Sequence, residues 1–351
     1  MIKLQPGIIS GIRAATSADE LWVYLQNAIE LEHSTIPPYL TAMFSLKPGT
    51  NREIAQHIRG IVIEEMLHMT IAANILIAIG GSPAINQPDF VPKYPGPLPM
   101  NIGDLQVGIE AFSIGLVKGT FMDIEEPENP IPVQVGLAAT AAPQFATIGA
   151  FYDAIKDQLR ALGQSIFVQT GAPPQVVNAN WFDADRLFTI TDVETACRAI
   201  DIIKREGEGT SDSPFEGLDG VPAHFYRFGE IAAGKELVKT DTGFAYGGTP
   251  VVFNGDGVWP LRPNCKIGDF AQGTQARTRI DAFAYDYSAL LNALHNAFNG
   301  DPAQLDTAIA LMYDLRVSAV ALMETDTGDG SGQTVGPSFE YVDRQGGMPT
   351  S

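Results

Sequence analysis

Ile61-Val62-Ile63-Glu64-Glu65-Met66-Leu67-His68 sets ionisable side chains into an apolar helical stripe. Across residues 52–79 the positions 54, 58, 61, 65, 68, 72, 75 and 79 recur at spacings of three and four, the period of one helix face. Six of them are Ile or Ala, and the two in the middle are Glu65 and His68. An unpaired carboxylate among isoleucines is costly, so something must compensate it there. A Glu and a His three residues apart on the inward face of a bundle helix form half of the two-metal sites built by metal-carboxylate four-helix proteins. A core histidine hydrogen-bonded to Glu65 or Glu64 is the plainer alternative.

The preceding stretch, 19–46, carries Leu21, Leu25, Ala28, Ile29, Ile36, Leu40 and Met43 with the same periodicity, and Glu32 falls on that face. Lys47-Pro48-Gly49-Thr50 is a short connection, so the two helices are expected to lie antiparallel, each burying a carboxylate at mid-length. Pro37-Pro38 removes two backbone donors, which frees carbonyls near His33 and Ser34 and predicts a kink or bulge.

Further along, residues 83–143 are rich in Pro and Gly and predict a long ordered excursion, with periodicity for short helices only over 102–122. Helices are expected over 147–163, from Thr191 or Asp192 to about Gly209, over 219–233 with Pro222 near the first position, over 275–298 and over 302–324. Between them, the Gly-rich and aromatic stretch 235–262 predicts a little sheet with a hairpin at Asn254-Gly255-Asp256-Gly257. The tail from Gly328 reads as a loop anchored by Phe339 and Tyr341. With no repeat and no clean linker, the expectation is one mainly α domain over 1–351, a helical bundle whose insertions 83–150 and 235–270 wall a pocket.

A two-metal site of this kind needs roughly four carboxylates and two histidines. Five histidines are available: His33, His57, His68, His224 and His295. His295 lies on a stripe without an acid and His57 on a flank, whereas His224 shares a face with Phe228 and Ile231. Glu208, between Gly207 and Gly209, can leave helical geometry and turn inward; Glu206, in register with Ala199 and Ile203, competes with it. Glu230 is out of register with His224 and suits a pair with Arg227.

Other chemistries lack their residues. No GxSxG, no GxxxxGK[ST] and no dinucleotide fingerprint occurs, and Asp326-Thr327-Gly328-Asp329-Gly330 lacks the frame and closing Glu of a calcium loop. Lys and Arg total 22 against 41 Asp and Glu, a formal charge of −19, which opposes binding to nucleic acid or anionic lipid. Two cysteines in no metal spacing fit a reducing compartment, and with no apolar leader and no uncharged apolar run of 18 residues the expectation is a cytoplasmic protein with a small-molecule substrate.

Taken together, Glu32-His33-Ser34-Thr35-Ile36-Pro37-Pro38-Tyr39-Leu40, Glu65-Met66-Leu67-His68, Gly207-Glu208-Gly209, His224-Phe225-Tyr226-Arg227-Phe228 and Gly336-Pro337-Ser338-Phe339-Glu340 resemble the ferritin-like family of iminophenyl-pyruvate dimer synthase, whose domain also occurs in the violacein-pathway protein VioB. The likeness runs from about residue 18 to 342 and includes Tyr94-Pro95-Gly96-Pro97-Leu98-Pro99 and Phe121-Met122-Asp123-Ile124-Glu125-Glu126-Pro127. It implies a ferritin-like bundle, and the family's metal positions fall on Glu32, Glu65, His68, Glu208 and His224. The chain departs where a ferritin has ExxH, because Pro222-Ala223-His224 has no Glu three residues before the histidine. The implied cofactor is one or two iron ions, with manganese or zinc as substitutes, and the implied activity is oxidative coupling of amino-acid-derived imines; the long insertions obstruct cage packing, so a monomer or homodimer goes with the enzyme reading. Metal storage and a metal-free structural bundle are the competing readings.

Overall fold

Helix α1 (Pro6–Ala14) leads into α2 (Ala18–Phe44) and α3 (Arg52–Ala78), two long partners joined by the short loop that makes them antiparallel. The structure is a computed structural model that describes residues 4–100, 105–128, 130–134, 147–209, 213–215 and 220–342. Both long helices bury Ile and Leu on their shared face, and Glu32, Glu65 and His68 are buried with them. α3 is long and apolar enough in composition to cross a membrane, but most of it is enclosed by the bundle.

The double proline lies inside α2 without ending it. Pro38 cannot donate to the carbonyl of Ser34, four residues back, and the Tyr94 hydroxyl donates to that oxygen instead, at 2.6 Å. A side chain from the following excursion therefore takes over one backbone hydrogen bond, and the helix continues.

The excursion contributes α4 (Ile114–Leu116) and α5 (Met122–Glu125), separated by a π-helical turn at Val117–Phe121. Next come strand β1 (Val133–Gln134), α6 (Ile148–Leu162) and α7 (Val193–Gly207), which opens on a capping box between Asp192 and Thr195. α8 (His224–Ala233) starts later than the sequence reading placed it. Pro222 and Ala223 precede the helix, the Ala223 N–H is turned to the Pro214 carbonyl, and His224 becomes the first helical residue; positions 216–219 lie outside the described residues.

Strands β2 (Lys235–Thr240) and β3 (Gly243–Pro250) form the hairpin, and β1 pairs in parallel with β3, giving the order β1-β3-β2. The turn is therefore at Asp241-Thr242, and the expected hairpin at 254–257 is corrected: Gly255–Gly257 is a 3-10 turn whose carbonyl receives the Lys47 N–H, so it clasps the α2–α3 loop. α9 (Gln275–Phe298) and α10 (Gln304–Met323) pack together as a further hairpin, and the tail returns over α9, with Phe339 buried against Phe283 and Tyr287 and the Tyr341 hydroxyl on Asn292.

Candidate metal centre

Two clusters of donor atoms meet at the centre of the bundle and share one residue. Glu32 of α2 converges with Glu65 and His68 of α3, and Glu65 converges with Glu125 of α5 and His224 of α8. His68 Nδ1 lies 3.6 Å from Glu32 Oε2, while His224 Nδ1 lies 2.7 Å from Glu65 Oε1 and 3.5 Å from Glu125 Oε2. All five side chains are buried, and the two imidazoles stack with centroids 5.5 Å apart.

Each carboxylate is held in the same way, with one oxygen tied by a hydroxyl and the other turned inward. Tyr152 donates to Glu32 Oε1, Thr35 to Glu65 Oε2 at 3.1 Å and Tyr39 to Glu125 Oε1 at 2.5 Å. The imidazoles are held alike from behind. His68 Nε2 meets Glu206 at 3.0 Å and His224 Nε2 meets Glu64 at 2.9 Å, so both rings present Nδ1 to the centre. Arginines steady those outer carboxylates, Arg186 against Glu206 at 2.8 Å and Arg227 against Glu64. Gly60 leaves the room that Arg227 needs, since a Cβ there would stand 2.9 Å from its guanidinium. A carboxylate that hydrogen-bonds the far nitrogen of an inward imidazole is the support that fixes a metal-ligating histidine.

The cluster's own electrostatics favour protons on its inward groups. Burial, with Glu125 alongside, pushes Glu65 up to about 8. Burial alone would depress both imidazoles, but Glu206 and Glu32 lift His68 to about 9, and Glu65 and Glu125 lift His224 to about 10. Burial also raises Glu32, yet the hydrogen bond and charge of His68 bring it below its ordinary value. Protons thus hold together a crowd of inward oxygens. His224 Nδ1 remains without a hydrogen-bond partner although carboxylate oxygens lie beside it, because none sits in the direction a bond requires. A donor set of this kind is compatible with a bound cation. Three carboxylates and two imidazoles suit iron, manganese or zinc better than calcium.

Of the five residues read from the sequence, the fold brings Glu32, Glu65, His68 and His224 together. Glu208 stands apart from both donor sets: it follows the end of α7 and accepts the Gly149 N–H at 2.7 Å, at the start of α6. A Cβ on Gly149 would lie 2.3 Å from this carboxylate, which would have to shift to make room, and burial pushes Glu208 up to about 7. Glu206 supports His68 from behind. Glu230 meets His57 at 2.8 Å and the Leu237 N–H, and the His33 imidazole turns away from the centre to the Tyr287 hydroxyl. Sequence reasoning missed Glu125 as a donor, though Phe121 and Ile124, buried around it, mark an inward helical face just past the π-turn.

A cleft of about 490 Å³, counting its open mouth, reaches the donors past Glu126, Ile148, Tyr152, Ile203, Lys204 and Glu208. The first insertion supplies Ile124 to Glu126, Ile148 and Gly149 of this wall, whereas 235–270 supplies none of it. That second segment packs elsewhere: Leu237 and Tyr246 of its hairpin cover Ala223 and Tyr226, and Trp259 pairs with Ser45 at the end of α2.

A family model described as ferritin-like matches residues 25–233. Among curated proteins, a dichlorochromopyrrolate synthase of Lentzea aerocolonigenes is 23% identical over 325 residues; the match takes in 83% of this chain and spans 30% of that relative's length. Among solved structures, a ferritin-like protein from Caulobacter vibrioides superposes with a TM-score of 0.59 at 22% identity, over 91% of this chain and 97% of that one, which shows the shared fold.

Proposed function

Because the chain belongs to the ferritin-like family, we propose that its central cluster is a dinuclear metal centre and that the protein is a non-haem iron oxidoreductase acting on a small, amino-acid-derived aromatic substrate. The observation that carries this reading is the pair of three-donor sets joined through Glu65. Glu32, Glu65 and His68 would hold one ion and Glu65, Glu125 and His224 the other, with manganese or zinc as substitutes. Bound iron would supply one-electron chemistry and activation of dioxygen.

The chain's own residues prepare that chemistry. Tyr39, Thr35 and Tyr152 fix the carboxylates, Glu206 and Glu64 fix the imidazoles, and burial of these side chains strengthens their charge interactions. Ile148, Ile203 and Tyr152 give the cleft an apolar wall for an aromatic ring, and Glu208 can hold a proton beside it near neutral pH. An open cleft at the centre suits turnover of a small molecule, and the distant synthase relative supports a biosynthetic reaction over storage.

Elemental analysis of protein produced with iron and manganese tests the centre. About two ions per chain are expected, with loss of both in Glu65→Ala and of the α2-side ion in His68→Ala; metal-free protein from every preparation would leave a structural bundle. Oxygen consumption with aromatic amino and imino acids then tests the activity, and none above the Glu65→Ala background sinks the oxidoreductase reading.

A further inference from the structure

Arg186 belongs to no helix. It stands in the turn Asp183–Leu187, where the N–H groups of Arg186 and Leu187 both donate to the Asp183 carbonyl at 2.9 Å and the Leu187 side chain is buried. From there its guanidinium enters the bundle between the two outer carboxylates: Nη2 is 2.8 Å from Glu206 Oε1 and 3.7 Å from Glu64 Oε1. Glu206 stands behind His68, and Glu64 stands behind His224. One cation therefore touches both supports, one for each half of the centre.

We propose that Arg186 is a positioning residue that sets both inward imidazoles at once, through Glu206 and Glu64, and so couples the affinities of the two metal positions. The inference rests on the dinuclear reading of the cluster. Both contacts are ion pairs made by one nitrogen, Nη2, of a guanidinium that keeps its charge when buried, whereas a lysine ammonium on a flexible stem keeps the charge without holding that nitrogen in place. The two holds are unequal. Arg186 is close to Glu206, whereas Glu64 also has Arg227, so the His68 half depends more on Arg186 than the His224 half does. Loss of a direct partner of a ligating imidazole, the place Glu206 and Glu64 hold, typically weakens metal binding by about 10- to 100-fold, and Arg186 acts through those two with a smaller effect.

The test is a Mn2+ titration of the purified full chain, native and as Arg186→Gln, Arg186→Lys and Arg160→Gln, the last changing an arginine on the surface of α6. Stepwise affinities come from calorimetry, and paired ions are recognised by the low-temperature electron paramagnetic resonance signal of two coupled Mn2+. Arg186→Gln is expected to weaken both steps, one by up to about tenfold and the other by less, and to diminish the coupled signal. Arg186→Lys, the fallback if the glutamine variant does not fold, is expected to fall between native and Arg186→Gln, and Arg160→Gln to match native. Native isotherms from both Arg186 variants, even with lowered melting temperatures, would reduce the residue to a structural role and overturn the proposal. A change confined to one step would refute the coupling. Native protein that takes up no Mn2+ would instead bring down the metal centre itself, a result distinct from either.

Discussion

Loading the centre with metal should expel protons, in a number set by the raised values of Glu65, His68 and His224. In the bare protein Glu65 titrates at about 8, His68 at about 9 and His224 at about 10. At pH 7 each of these groups is then mostly protonated, about three protons in all. Metal-bound carboxylate and imidazole donors must give them up, since a cation cannot share the inward lone pair with a proton. Filling both positions with Mn2+ at pH 7 is thus expected to release about three protons per chain. The overall binding constant should then rise by about three decades per pH unit near neutrality and flatten as the pH passes the raised values. Calorimetry in two buffers of different ionisation enthalpy counts the protons, and His68→Gln should release about one fewer. Release of less than one proton by the native chain would refute the account, because the donors themselves would then be deprotonated before the metal arrives.

Three more perturbations have defined outcomes. Glu125→Gln should leave the Glu32, Glu65 and His68 set intact and lower the metal content from about two ions to about one, read by elemental analysis. Glu208 has its folded-state value raised from 4.5 to about 7, so its stabilising effect is complete below 4.5 and is lost as the pH rises through 7. Glu208→Gln keeps an oxygen for the Gly149 N–H and should raise stability at pH 8 by up to about 3 kcal/mol while changing little at pH 4, as checked by denaturant unfolding at both pH values. Finally, light scattering should give one or two chains of 37.7 kDa, and a large closed particle would favour storage.

Much of this could be read from the sequence because helix periodicity exposes a charge in an apolar stripe. Glu32, Glu65 and His68 lie on two adjacent helices whose faces the spacing fixes, and the short loop fixes their pairing. His224 was legible from Phe228 and Ile231, though the start of its helix was not, since Pro222 and Ala223 give their backbone to other contacts. Glu125 escaped because its helix is four residues long, too short to show a period, and its inward direction depends on the π-turn and on Tyr39 from another helix. Glu208 was drawn toward the metal by its flanking glycines, whereas one glycine that matters is Gly149, distant in sequence, which lets the carboxylate reach a helix start. The roles of Arg186 and Arg227 depend on which outer oxygen each meets, and that is set only by tertiary packing.

The sharing of Glu65 also has a history within each molecule's own folding. One donor set comes entirely from the hairpin of α2 and α3, neighbours along the chain, whereas the other waits for Glu125 and His224, which follow Glu65 by 60 and 159 positions. Nearby pairings form faster than remote ones. The α2–α3 hairpin is therefore expected to offer a cation its first foothold while the excursion and α8 are still undocked, and the second ion to enter only when they close. Metal uptake followed in time during refolding would then come in two phases, the later one reporting the moment at which the remote segments arrive.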